Sequence, residues 1–283
     1  MKVTSIGVAG AGTMGMGIAL CAAQHGYPTI LFDVNETVLA NAEKNIHKNL
    51  DVLLAKNKIT LEEKTSILNR LTFTADIHQC CASLIIEAII EKMDVKIDLF
   101  NLLSEVNPKE TLFASNTSSL SVNELQKNIS FPERVAGMHF FNPAQIMKLV
   151  EVVKANQTAD HTVEQLVLVC KQMQKTPVVC IDAPGFIVNR VARHYYLEAM
   201  RLVESGVTNI ESVDELMEAS GFKMGPFKLM DLIGNDINLA VTQSLYEAFN
   251  HEARFEPSSL QMGKVKNGNL GKKTGSGFYH YSS

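Results

Sequence analysis

Short, nearly continuous runs of apolar and β-branched residues alternate with longer stretches of helical spacing from Val3 to about Val179. The runs are VTSIGVAG, PTILFD, LTFTA, SLIIEAI, TLFAS, RVAGMHF, KLVEVV and PVVCI. Several are apolar at consecutive rather than alternate positions, the pattern of strands covered on both faces. Strands that alternate with helices build βαβ units, so this half predicts an α/β fold with a doubly wound, mostly parallel sheet. Between Asn35 and Arg70 the pattern turns polar and lysine-rich, with Val38, Ile46, Leu50, Leu53 and Leu54 at helical spacing. That stretch exceeds a usual crossover and predicts a protruding helical hairpin.

The β alternation stops after Ala183-Pro184-Gly185. Phe186 to Ser205, Val213 to Ala219 and Asp236 to Phe249 carry helical periodicity instead. The expected organisation is a sheet domain over 1–183 and a smaller all-α C-terminal domain over 184–283, a division that the length of 283 residues favours. From Gly268 the tail is rich in Gly and Lys and closes with GFYHY, and it is expected to wrap back as an ordered loop.

Composition narrows the function classes. Hydrophobic residues at 46% and charged residues at 20% describe an ordinary globular chain rather than a disordered or fibrous one. The formal net charge of -4 provides no global basic field, so neither nucleic acid nor an anionic membrane is an expected partner. Five cysteines, Cys21, Cys80, Cys81, Cys170 and Cys180, show no CxxC or Cys/His ligand spacing, which speaks for reduced structural thiols and against a metal site. The apolar start, Val3 to Ala11, runs straight into a glycine turn, so it reads as a first strand rather than a cleaved leader. No apolar stretch approaches the roughly 20 residues that span a bilayer. A cytoplasmic location is the expectation.

The first predicted strand leads into Gly10-Ala11-Gly12-Thr13-Met14-Gly15, and a helical pattern follows it. In that context GxGxxG is a Rossmann-type signal. The first glycine permits the tight turn, the second lets a pyrophosphate approach the backbone, and the third lets helix pack on strand, while the helix N-terminus offers N–H groups to the anion. The second strand ends in Asp33, where an acidic residue accepts hydrogen bonds from the adenosine ribose. Its charge repels a 2′-phosphate, so NAD is favoured over NADP.

A dinucleotide fold does not say what is oxidised. Polar clusters follow the later strands: Ser115-Asn116-Thr117-Ser118, His139-Phe140-Phe141-Asn142-Pro143, and Asn189 in PGFIVNR. Glu151 interrupts the apolar run KLVEVV and calls for a buried partner, for which His139 is the candidate. Oxidising a secondary alcohol needs a base for the hydroxyl proton while hydride leaves to the nicotinamide, and imidazole suits that exchange near neutral pH. His139 is the expected base and Glu151 its orienter; Ser118 and Asn189 are expected to hydrogen-bond the reacting oxygen. Each residue taken singly also has a plain structural reading. His139 alone reads as a satisfied core histidine, Glu151 as a surface residue on an edge strand, Ser118 as a helix cap, and Asn189 as a helix-terminus hydrogen bonder.

The ordered motifs GAGTMG, IIEAIIEKMDVK, ASNTSSL, HFFNPAQIMKLVEVV, DAPGFIVNR, GFKMGPFKLMDLIGND and GKKTGSGFYHY resemble the L-3-hydroxyacyl-CoA dehydrogenase family over essentially the whole chain. The resemblance implies a His139–Glu151 catalytic dyad with Ser118 and Asn189 at the substrate. It also implies cofactor contacts from Glu91, Lys96, Ser118, Asn142 and Lys273, and coenzyme A contacts from Lys56 and, with less support, Asn49, where some relatives carry serine. Lys48 and Lys58 stand by as supporting charges. Without the family pattern, Glu91 and Lys96 read as an exposed charge pair at a helix start, and Lys273 as a solvated tail lysine. Departures from the pattern are Gln145 and Ile146 after HFFNP, Lys228 in PFKLMD and Asn235 in IGND; they bear on acyl-chain preference and the second domain.

The expected activity is reversible NAD-dependent oxidation of a short-chain L-3-hydroxyacyl-CoA, such as 3-hydroxybutyryl-CoA, by a single-function enzyme that dimerises through its helical C-terminal domain. Competing readings are a dehydrogenase of another small hydroxy acid, one acting on a dicarboxylic 3-hydroxyacyl-CoA, and a non-catalytic, crystallin-like NAD-binding protein. An intact Ser118, His139, Glu151 and Asn189 set argues against the last.

Overall fold

The computed structural model describes residues 2–281. The chain forms two compact units, Met1–Ala183 and Pro184–Ser283.

The first unit is one eight-stranded sheet: β1 (Ile6–Ala9), β2 (Thr29–Phe32), β3 (Leu71–Thr74), β4 (Leu84–Glu87), β5 (Leu112–Ser115), β6 (Val135–Phe140), β7 (Leu149–Lys154) and β8 (Thr176–Ile181). All eight apolar runs become strands. Their spatial order is β3-β2-β1-β4-β5-β6-β7-β8. Pairing is parallel throughout except between β6 and β7, which run antiparallel, so β7 and β8 oppose the other six strands. The apolar runs carry no mark of that reversal, because a covered strand looks alike in either direction.

Among the described residues six α-helices belong to this unit: α1 (Thr13–Gln24), α2 (Glu36–Ala55), α3 (Leu61–Leu68), α4 (Met93–Val106), α5 (Val122–Gln126) and α6 (Asp160–Gln172). The core joins both kinds of element, with Ile6, Val8, Leu31, Ile86, Ala114, Met138 and Val152 from the sheet packed with Ile18, Leu20, Ile46, Leu50 and Leu166 from the helices. The predicted hairpin is α2 and α3. Its helix starts are set locally: the Asn35 side chain accepts from the Thr37 and Val38 amides, and Thr60 and Glu63 form a reciprocal capping box. Leu39, Ala42, Ile46, Leu50 and Ile67 are its buried residues, so the apolar stripe of the hairpin is docked into the core of the unit.

The second unit is helical: α7 (Val188–Glu204), α8 (Ile210–Ala219), α9 (Pro226–Ile233), α10 (Asn235–Ala248) and α11 (Ser259–Lys266). Periodicity picked out α7, α8 and α10; α9 and α11 are eight residues each, too short for a clear stripe. The tail does fold back within this unit. Phe278 packs edge-on against Phe227 with ring centroids 4.9 Å apart. Asp231 accepts hydrogen bonds from the Phe278 and Tyr279 amides and the Tyr281 hydroxyl, each 2.9 Å. A buried carboxylate with several donors is thus the post to which the tail is tied. No helix among the described residues is long and apolar enough to cross a membrane.

Candidate active site

The sheet order runs outward from β1 in one direction and from β4 in the other, and the C-terminal ends of these two strands are the switch point where open α/β sheets take ligands. The glycine turn lies there. Gly10 has φ +105°, and a Cβ on it would come within 2.6 Å of the Ala88 carbonyl oxygen. A Cβ on Gly15 would sit 1.7 Å from the Gly10 carbonyl oxygen, so only glycine lets α1 start this close to β1. Gly12 is the opposite case: nothing lies within 4 Å of where its Cβ would be. Gly12 is the N-cap of α1, with no side-chain cap and no acidic residue in the first turn. Thr13 is exposed and Met14 half-buried. The first-turn amides therefore face an uncrowded, unopposed surface with the positive end of the helix dipole behind it, which fits a pyrophosphate.

Asp33, one residue beyond β2, is bound to this turn. Its Oδ2 accepts from the Ala11 amide at 2.8 Å and its Oδ1 from the Asn35 amide at 2.9 Å. The carboxylate is thereby fixed at the rim of the glycine loop, beside the start of α2.

His139 and Glu151 are directly paired positions on the antiparallel strands β6 and β7. His139 Nδ1 lies 2.7 Å from Glu151 Oε2, with the residues 6% and 1% exposed. Glu151 is no surface residue of an edge strand, since β7 is flanked by β6 on one side and β8 on the other. The Phe141 ring stacks at a tilt, 4.5 Å from the imidazole.

Beyond β5, Asn116 joins three strands: its amide donates to the Glu87 carbonyl at 2.8 Å, and its Oδ1 accepts from the Phe140 amide at 2.9 Å, next to His139. Ser118 does not cap a helix. That task falls to Ser121, whose hydroxyl accepts from the Glu124 amide of α5. The Ser118 amide instead donates to Glu91 Oε1 at 3.0 Å.

Of the pair Glu91 and Lys96, only Glu91 reaches the surface. Lys96 is 1% exposed, and its Nζ sits 3.1 Å from Glu91 Oε2 and 2.6 Å from Glu87 Oε1. Glu87, buried at the end of β4, also accepts from the Ser115 hydroxyl at 2.6 Å and the Ile89 amide at 2.7 Å. Burial pushes the Glu87 carboxyl up, against the pull of Lys96. Burial also acts to raise Glu91, but the Lys96 charge and hydrogen bonds from Thr117, Lys96 and Ser118 outweigh it and hold this carboxyl below its usual range. Glu87 went unnoticed in the sequence, although it breaks the apolar run SLIIEAI just as Glu151 breaks KLVEVV.

Lys175 was also missed. It is buried, and its ammonium donates to the carbonyl oxygens of Ala144 at 2.6 Å and Met147 at 2.8 Å. It thus clamps the loop between β6 and β7 that bears the exposed Asn142.

In the hairpin, Lys48, Lys56 and Lys58 are exposed and Asn49 is half-buried. Lys56 closes α2, and the 20 residues of that helix carry it about 30 Å along the axis from the Asp33 end. In the second unit, Asn189 lies in the first turn of α7, with its carbonyl accepting from Arg193 Nε at 3.3 Å. Lys273 is held rather than freely solvated: its ammonium donates to Asp236 Oδ2 at 2.7 Å. Among the described residues no cluster of three or more His, Cys, Asp or Glu side chains suits a metal ion.

Residues 5–183 match the NAD-binding domain of 3-hydroxyacyl-CoA dehydrogenase, and residues 185–281 match the C-terminal domain of the same enzyme. The chain is 47% identical over 283 residues to the 3-hydroxyadipyl-CoA dehydrogenase of Escherichia coli (strain K12), covering 99% of this chain and 60% of that protein. It thus spans about three fifths of that relative's length. It is 38% identical to the probable 3-hydroxybutyryl-CoA dehydrogenase of Bacillus subtilis (strain 168), covering 99% of this chain and 98% of that one. The crystal structure of an (S)-3-hydroxybutyryl-CoA dehydrogenase from Ralstonia eutropha superposes with a TM-score of 0.95 at 34% identity, over 100% of both chains.

Proposed function

The chain belongs to the 3-hydroxyacyl-CoA dehydrogenase family, and from that premise we propose that it oxidises a short-chain L-3-hydroxyacyl-CoA, 3-hydroxybutyryl-CoA, to the 3-oxoacyl-CoA with NAD, reversibly. The observation that carries this reading is the buried His139–Glu151 pair, an imidazole fixed by a carboxylate at 2.7 Å in the unit that bears the dinucleotide turn.

Bound NAD supplies the hydride acceptor. His139 takes the hydroxyl proton. With Nδ1 engaged by Glu151, proton exchange falls to Nε2, and the carboxylate stabilises the imidazolium as it forms. Ser118 and Asn189 hydrogen-bond the reacting oxygen. The amides of Thr13, Met14 and Gly15 hold the pyrophosphate, with Gly10 and Gly12 keeping the approach open, and Asp33 holds the ribose and repels a 2′-phosphate. Glu91, Asn142 and Lys273 complete the cofactor contacts. Lys56, with Lys58 close behind it and Lys48 and Asn49 about two turns back on α2, meets the phosphates of coenzyme A. The enzyme works as a homodimer through its helical C-terminal unit, a reading supported by the exposed Val191, Val207, Leu216 and Ile237 of that unit.

A second substrate reading, a dicarboxylic 3-hydroxyacyl-CoA, is favoured by the 47% identity to the Escherichia coli 3-hydroxyadipyl-CoA dehydrogenase. The test is NADH formation from 3-hydroxybutyryl-CoA, 3-hydroxyadipyl-CoA and free 3-hydroxybutyrate. The higher kcat/KM among the two thioesters names the substrate class. Turnover of the free acid alone, or of none of the three by a folded, NADH-binding protein, overturns the proposal.

A further inference from the structure

Ser118 stands on a stretch with no regular structure of its own, between the end of β5 at Ser115 and the start of α5 at Val122. Such segments are mobile unless something holds them. Here one carboxylate oxygen does. Glu91 Oε1 accepts from the Thr117 hydroxyl at 2.6 Å, the Ser118 amide at 3.0 Å, and the Ser119 amide and hydroxyl at 3.2 Å each. Glu91 itself stands on the connection between β4 and α4, so it needs an anchor in turn. Its other oxygen has one in Lys96, from the first turn of α4, and Lys96 is anchored by Glu87 on the last residue of β4.

These contacts close on themselves. Glu87 Oε2 accepts from the Ser115 hydroxyl at 2.6 Å, and the Ser115 oxygen accepts from the Thr117 amide at 3.2 Å. The circuit runs Glu87, Lys96, Glu91, Thr117, Ser115 and back to Glu87, joining β4, α4 and the β5 exit. Glu87 and Lys96 are 0% and 1% exposed. A buried ion pair contributes little net stability over a well-packed apolar pair of the same volume, whereas a fully satisfied polar network holds a unique geometry.

We infer that Glu87 and Lys96 are positioning residues that act on the reaction through Glu91, by fixing the Thr117–Ser119 segment and with it Ser118. This rests on the reading of Ser118 as a residue that touches the reacting oxygen.

Removing Lys96 alone strands two carboxylates and endangers folding, so the test uses the paired substitution Glu87→Gln with Lys96→Met, which removes both charges of the inner pair together. The pair variant is made in the wild-type enzyme and in Ser118→Ala, with thermal melts, the NADH dissociation constant, and kcat/KM for the acyl-CoA as readouts. Ser118→Ala alone is expected to lower kcat/KM roughly 10-fold or more, and the pair variant roughly 10- to 100-fold, the span of one or two hydrogen bonds to charged groups. In the Ser118→Ala background the pair substitution is expected to lower it by less than about 3-fold, because the group being positioned is already gone. The NADH dissociation constant is measured so that kcat/KM for the acyl-CoA is read at saturating cofactor, where only the coupling to Ser118 decides.

Multiplicative losses in kcat/KM at saturating cofactor overturn the inference. A folded pair variant with wild-type kcat/KM overturns it as well. A fully active Ser118→Ala enzyme overturns the reading beneath it, an outcome distinct from the other two.

Discussion

Nδ1 of His139 and Oε2 of Glu151 are 2.7 Å apart because the two residues face each other across paired antiparallel strands, both almost wholly buried. His139→Ala is expected to reduce kcat/KM by about 10²- to 10⁴-fold, the usual contribution of a positioned general base. Glu151→Gln keeps the shape and removes the charge that stabilises the imidazolium, so it too should fall by at least about tenfold. Residues that act as one unit are strongly non-additive, and the double variant is expected to be little worse than His139→Ala. NADH formation from a 3-hydroxyacyl-CoA measures all three. A Glu151→Gln enzyme with wild-type kcat would remove Glu151 from the chemistry.

Two glycines of the same turn should respond in opposite ways. Gly15→Ala drives a methyl group to 1.7 Å from a backbone oxygen, an overpacking that costs about 3 kcal/mol or more. A Tm drop of about 6–12 °C follows for a domain of this size. Gly12→Ala meets nothing within 4 Å, so its Tm should move by less than about 2 °C. NADH binding should nevertheless weaken about 10- to 100-fold, since the methyl occupies the approach to the pyrophosphate. Thermal melts and NADH fluorescence titration give both quantities. Unaltered NADH affinity in Gly12→Ala would sink the cofactor placement.

Lys175→Met removes the donor to the buried Ala144 carbonyl and to the part-buried Met147 carbonyl. The orphaned Ala144 carbonyl costs about 1–3 kcal/mol, which corresponds to a Tm lower by roughly 2–12 °C. The clamped loop carries Asn142, so a weaker NADH complex is expected alongside. An unchanged melt would show that the clamp contributes nothing to the fold.

Glu91 sets a pH dependence with a definite sign. Its carboxyl in the fold lies below the ordinary value of 4.5, so between those two values the unfolded chain binds more protons than the folded one. Its contribution to stability is complete above pH 4.5 and is lost as the pH falls through the folded value. Glu87, raised by burial, acts in the opposite sense and in a separate window above pH 4.5, where lowering the pH favours the fold. The Tm of Glu91→Gln should therefore fall less steeply than wild type as the pH is lowered through this range. Parallel melting curves would exclude the Glu91 contacts as the cause.

Much of this protein was legible from residue order. Eight strands announce themselves as apolar runs; β1, β4, β5 and β6 are buried throughout and so have no polar alternation to preserve, whereas β8 looks the same in sequence but is largely exposed. The glycine spacing at Gly10, Gly12 and Gly15 is readable because sterics leave no other residue at the first and third positions. Glu151 could be singled out since a carboxylate in an apolar strand demands a partner. What residue order did not carry was direction and distance. That β7 runs antiparallel to β6, which brings Glu151 opposite His139, depends on how the loop around Asn142 and Pro143 folds back and on a buried lysine, Lys175, more than 25 residues further along. Lys96 reads as a surface charge in one dimension. Only tertiary packing turns it inward between Glu87 and Glu91, because a buried ammonium needs acceptors that converge on it, here two carboxylates.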